Sequence, residues 1–137
     1  MEIKIYKQKE QDKEFYSIMG KYFASRKIAK EFGGYQLYNT DNSIWYLLYD
    51  DNKLIGFCSS IINENYILLD NFYILNIFRN KGYSKYLLNE WIEYNKVFKK
   101  DLKVMVSNEY QKRNMNRFDF KEYKKSKNYI YYIKEIK

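Results

Sequence analysis

Residues Arg79 to Ser84 read R-N-K-G-Y-S, and this stretch decides how the chain is understood. It lies between a strand-like apolar run, Leu68 to Leu75, and a helix-like run, Tyr83 to Phe98. A basic residue, then a glycine, then a small residue at a strand-to-helix junction make a phosphate cradle. Glycine lets the backbone pass close to a ligand, and the first turn of a helix directs unpaired N–H groups at an anion.

Working outward, Glu2 to Lys7 alternates as a half-buried strand does. Glu10 to Phe23 carries Phe15, Ile18, Met19, Tyr22 and Phe23 at helical spacing. Ser25 reads as the N-cap of a second helix bearing Ile28, Ala29 and Phe32, which Gly33-Gly34 ends. Strands follow at Ile44 to Tyr49, Leu54 to Ile62 and Tyr66 to Leu75, with turns at Asp50 to Lys53 and Asn63 to Asn65. After the cradle, Tyr83, Leu87, Trp91, Tyr94 and Phe98 mark an amphipathic helix. Leu102 to Val106 is a short, nearly continuous apolar strand of the kind found in parallel pairing. Ser107 or Asn108 caps a last helix ending near Phe118, and Lys121 to Lys125 and Tyr129 to Ile136 close the chain as strands. The expected fold is α/β, a mixed sheet with helices on its faces, in the order β-α-α-β-β-β-α-β-α-β-β. With no proline, repeat or linker, residues 1–137 read as one domain.

By motif and element order, the chain resembles the GCN5-related N-acetyltransferases, the GNAT family. Its R-N-K-G-Y-S matches the family loop Q/R-x-x-G-x-G/A, with Ser84 where glycine or alanine is usual. Ile74, Asn76, Phe78 and Arg79 occupy the family's V-x-P-x-Y-R, with Asn76 in place of proline. The resemblance implies an N-acyltransferase that uses acetyl-CoA. Arg79, Asn80, Lys81, Gly82, Tyr83 and Ser84 would surround its pyrophosphate, with Lys85 adding charge nearby. The strand edge at Ile74 and Leu75 would pair with pantetheine, and the Leu75 N–H would hold the thioester oxygen. Many family members use a tyrosine to protonate the leaving thiolate, within N-x-x-A-x-x-L-Y-x-x-x-G-F. Asn108 aligns with the first asparagine and is counted with the cofactor site; Met115 then stands at the tyrosine position and Asp119 at the glycine. The thiolate leaves unassisted, or Tyr110 or Tyr83 substitutes, or the fold binds acyl-CoA without standard chemistry. Asp70, a carboxylate inside an apolar strand, is the candidate base. Asn71 beside it is expected to face the other way. Glu31 is a weaker candidate for the acceptor cleft.

Composition narrows the chemistry. The chain has no histidine and one cysteine, Cys58, which excludes His-based catalysis and cysteine metal clusters; no metal site is expected. Cys58, in G-F-C-S-S, reads as a buried filler. No apolar run spans a membrane and the N-terminus is not a signal peptide, so a cytoplasmic location is expected. The net charge of +8 fits a polyanionic partner, or simply the A/T-rich codons of a low-GC bacterium or phage. The segment from Lys21 to Tyr38 mixes lysines and aromatics, which keeps a nucleic-acid acceptor open beside a small or protein amine. A catalytically silent binding module is the third reading. The family resemblance allows monomer or homodimer.

Overall fold

The computed structural model describes residues 1–32, 36–106 and 109–136, without the side chains of residues 109–111. Its elements are β1 (Glu2–Tyr6), α1 (Lys13–Phe23), α2 (Arg26–Glu31), β2 (Ser43–Asp50), β3 (Lys53–Ile62), β4 (Tyr66–Ile74), α3 (Tyr83–Asn95), β5 (Asp101–Val106), α4 (Glu109–Arg117), β6 (Lys121–Lys125) and β7 (Ile130–Lys134). This is the order expected from the sequence. The first helix begins later than its apolar spacing suggested, because Asp12 caps it by accepting from the Glu14 and Phe15 N–H groups. Ser25 caps α2 through Ile28 N–H, as expected. The run after the cradle is α-helical only to Asn95; residues 96–98 tighten into a 3-10 turn that ends at Lys99, with φ 56°. The proposed stop at Gly33-Gly34 and the cap at Ser107 or Asn108 lie outside the described residues.

The strands form one sheet in the order β1-β2-β3-β4-β5-β7-β6. The meander β1 to β4 is antiparallel, and its β2–β3 turn uses Asp51 and Asn52 with φ 51° and 62°, conformations that Asp and Asn tolerate. The chain then crosses over through α3, and β5 pairs parallel to β4. Both faces of the sheet are covered, which is why β2 and β3 read as continuous apolar runs. Against α1 and α2 pack Trp45, Leu47 and Phe57; against α3 pack Tyr46, Leu48 and Cys58. Cys58 is fully buried, as its sequence context implied.

What positions the site is a change of pairing along β4. Its first half is paired on both edges: with β3, and with β5 from Tyr66↔Asp101 to Leu69↔Val104. Beyond Leu69 the ladder to β5 stops, while Met105 and Val106 go on pairing with β7. The sheet therefore splits between Asp70–Ile74 and the end of β5. On its other edge β4 bulges: Ser59 pairs with Asp70 and Phe57 with Tyr73, so Cys58 alone faces two residues. Asn71 sits at the bulge with φ 52°, a conformation asparagine adopts more readily than most side chains.

Candidate active site

The split encloses a cleft of about 760 Å³. One end is the start of α3, a second stretch is the unpaired edge of β4, and the far end is closed by the chain after α2.

At the first end, Asn80 has φ 64° and Gly82 has φ 86°. Alternating handedness of this kind turns successive N–H groups into a concave nest. The N-cap of α3 is Gly82, which has no side chain to cap the helix, and the N-terminal end of its dipole faces the cleft. A Cβ built on Gly82 meets nothing within 4 Å; glycine serves the left-handed backbone here, and the space beyond it is open. Arg79 does not join this nest as expected. Its N–H donates to Asn76 O at 3.3 Å. Its Nε donates to Ile74 O at 2.9 Å, and its terminal nitrogens reach back to Glu31. The nest is therefore built from Asn80 to Ser84. The Lys81 ammonium lies over the Phe78 ring.

Along β4, the expectation for Leu75 is overturned. Its N–H donates to Ile55 O at 2.9 Å, completing the β3–β4 ladder. Antiparallel alternation then turns the Ile74 N–H to the opposite, unpaired edge. Ile74, Val104, Val106, Leu88 and Met115 line this part of the cleft. Met115 is buried and apolar, so the position that aligns with the family's tyrosine carries no proton donor. Tyr83, a suggested substitute, donates its hydroxyl to Asp50 Oδ2 at 2.7 Å. That bond raises its pKa, burial adding a smaller push. Asn108 and the side chain of Tyr110 lie outside the described residues.

At the far end the bulge gathers the polar groups. Asn71 does not face away from the partners of Asp70. Its Nδ2 donates to Ser59 Oγ at 2.9 Å and to Tyr38 O at 3.0 Å, and its Oδ1 accepts from Tyr38 N–H at 3.4 Å. Asparagine thus clamps the chain after α2 onto β4. The clamp sets the Tyr38 hydroxyl against the Asp70 carboxyl. Asp70 Oδ2 is buried and has no hydrogen-bond partner among the described residues. Burial raises the Asp70 pKa above the usual carboxylate range, against the smaller lowering effects of the Tyr38 hydroxyl and a backbone N–H. Burial, with help from Asp70, likewise raises the Tyr38 phenol.

Glu31 closes the cleft on the α2 side. It accepts from the Tyr73 hydroxyl at 2.5 Å and from both terminal nitrogens of Arg79 at 3.3 and 3.4 Å. Burial alone would raise its pKa, but the Tyr73 and Arg79 bonds outweigh this and hold it below its ordinary value. Tyr73 is pushed up to about 12, first by burial and then by donating to Glu31. Arg79 also lies over the Tyr73 ring at 5.0 Å.

This split sheet, with a glycine-led nest at one end and a carboxylate at the other, agrees with a family model. The model for the acetyltransferase (GNAT) family matches residues 8–120. The chain belongs to the GNAT family.

Solved GNAT-fold structures match over nearly the whole chain. ElaA of Escherichia coli superposes with a TM-score of 0.78 at 12% identity, covering 98% of this chain and 99% of that one. The N-acetyltransferase PseH of Campylobacter jejuni, solved with acetyl coenzyme A, gives 0.69 at 18% identity, covering 99% and 100%. PaiA N-acetyltransferase of Thermoplasma acidophilum, solved with coenzyme A, gives 0.65 at 16%, covering 98% and 99%. No curated protein sequence matches. As a GNAT protein the chain is an N-acyltransferase, and its acceptor is not fixed by these likenesses.

Sequence reasoning located Asp70 and the nest but missed Tyr38, Tyr73, Asn114 and Tyr129, all of which line the cleft. Nothing local distinguishes these tyrosines among the 17 present. On the first two helices, two of the aromatic residues considered for stacking on nucleic acid pack against the sheet. Tyr22 packs on Phe57 at 5.4 Å and Phe23 on Trp45 at 5.3 Å, and the neighbouring lysines point outward.

Proposed function

We propose that this GNAT protein is an acetyl-CoA-dependent N-acyltransferase acting on an amine. The observation that carries the reading is the buried Asp70 Oδ2, without a partner among the described residues, on the unpaired half of β4, in the same cleft as the glycine-led start of α3. When bound, acetyl-CoA supplies an acyl carbon activated as a thioester. The nest of Asn80 to Ser84 fits its pyrophosphate, and the open space beyond Gly82 is where a phosphate would stand. The free edge of β4 fits the pantetheine amides, as a sheet edge accepts an extended chain. The Ile74 N–H, rather than that of Leu75, faces the cleft to hold the developing oxyanion.

Asp70 receives the proton of the attacking amine. Its raised pKa makes it a stronger base than an exposed aspartate. Tyr38 fixes the carboxyl, and Asn71 fixes Tyr38. Met115 offers no proton to the departing sulfur, and the thiolate, itself a modest base, can leave without one.

Calorimetric titration with acetyl-CoA tests the reading, run beside Gly82→Glu, which forces a side chain at φ 86° and places a carboxylate in the nest. A Kd in the micromolar range, lost in the variant, is the expected result. No binding by the native chain would sink it. Met115 favours one second reading, a fold that binds acyl-CoA and does not turn over. Binding without thiol release across an amine panel would decide for that one.

A further inference from the structure

Twenty-five lysines and arginines give this chain its positive charge, yet among the described residues the cleft is lined by no lysine. Its charged lining is Glu31, Asp70 and Arg79. Arg79 is already committed to Ile74 O and to Glu31. A carboxylate has about four acceptor sites. Three protein bonds occupy Glu31, and the open site is on Oε1, beside Arg79. Asp70 Oδ2 has all of its capacity left. Phe32 and Tyr38 line the cleft with these carboxylates, while the Tyr73 ring is already covered by Arg79 at 5.0 Å and by Phe57 at 5.7 Å. Ring faces attract cations.

Resting on the acyltransferase reading above, we propose that the acceptor is an amine with a second cationic group. Its reacting nitrogen lies at Asp70 and its far ammonium lies at the open oxygen of Glu31. Asp70 and Tyr73, the residue that holds Glu31, are three positions apart on β4, roughly 10 Å of strand before the bulge shortens it. The two anions are thus separate stations for the two ends of an extended molecule. In the transfer, the neutral amine forms the new C–N bond, the C–S bond breaks to release thiolate, and Asp70 takes the N–H proton. Among the described residues an anionic acceptor meets no free cation in this cleft, which favours a dicationic acceptor over nucleic acid despite the basic exterior.

The test compares α,ω-diamines from putrescine upward in length with the monoamine and the ω-amino acid of each chain length. Such triplets differ only in the far end, which is cationic, apolar or anionic. Thiol release gives kcat/KM for each, and calorimetry gives binding of acetyl-CoA and of diamine separately. The best diamine is expected to exceed its monoamine by about 10- to 100-fold, the size of one charge-assisted bond. The ω-amino acid should rank last. In Glu31→Gln the diamine advantage collapses, and in Glu31→Asp it returns in part; thermal melts confirm that both variants fold. An equal monoamine, a preferred ω-amino acid or single-stranded oligonucleotide, or an unchanged ratio in Glu31→Gln would overturn the proposal. If acetyl-CoA fails to bind, the acyltransferase reading falls by itself. Diamine binding by the chain alone then decides for the cation site if Glu31→Gln abolishes it, and against the site if the native chain shows none.

Discussion

The two halves of β4 have nearly the same length and opposite properties. From Tyr66 to Leu69 the strand is laddered on both edges, and its side chains Ile67 and Leu69 belong to the core. From Asp70 to Ile74 it is laddered on one edge only, carries a bulge, and holds a carboxylate and an asparagine in a left-handed conformation. The first half obeys the rule that buried backbone is paired and buried side chains are apolar. The second half breaks both parts of the rule within five residues, and the breaks coincide with the cleft. Where pairing lapses, an open strand edge, a costly carboxylate and a clamped loop meet in one place.

That contrast can be broken at either half. The largest effect is expected from Asp70→Asn, in the open half. It should lower kcat/KM by about 10²- to 10⁴-fold, as loss of a general base does. Its stability should move the other way. Burial raises the folded-state pKa of Asp70 above its unfolded value, so stability is lost as pH rises through the folded value. Asparagine removes that loss. The melting temperature of Asp70→Asn should match or exceed the native one, by a margin that grows from acid to neutral pH. The acid limb of the native rate profile should lie above the ordinary carboxylate range and vanish in the variant. A variant that melts lower at neutral pH and keeps its limb would end the contrast.

Next comes Ile67→Ala, in the closed half, where the side chain is fully buried. It should cost about 2–5 kcal/mol in denaturant unfolding and leave the acetyl-CoA Kd in place. A selective loss of acetyl-CoA binding would mean the halves are not independent. Smaller again is Asn71→Ala, which removes three hydrogen bonds that hold Tyr38 and Ser59. About 1–3 kcal/mol of stability should go with them, together with a higher KM for the acceptor at unchanged acetyl-CoA affinity. Last is Tyr83→Phe, which should alter melting and kcat least, since its hydroxyl serves Asp50 and not the cleft. A large fall in kcat would restore Tyr83 as a proton donor.

Much of this was legible in the chain itself. The cradle showed because it needs glycine at Gly82, and the strands showed because apolar runs bounded by Asp-Asn and Asn-Glu-Asn turns have few other meanings. Asp70 stood out because a carboxylate in such a run is costly. The bulge was harder. Period-two alternation assigned Asn71 to the wrong side, since one inserted residue reverses every later side chain, and only the D-N pair hinted at it. Leu75 was misassigned for the same reason: which edge an N–H faces depends on register, and register is tertiary. Arg79 looked like a phosphate ligand until Glu31, 48 positions away, proved to be its partner.

The lone thiol has a practical consequence. Cys58 is the residue facing the bulge, it is fully buried, and burial raises its pKa. A thiol-reactive dye can reach it only when β3 and β4 part. Its labelling rate in dilute denaturant is therefore a built-in clock for breathing of the sheet at β4. In the folded protein the same dye counts released coenzyme A with little background. One reagent thus measures turnover in the first minutes and local opening over longer times. Acetyl-CoA that grips the β4 edge should slow the second signal while feeding the first.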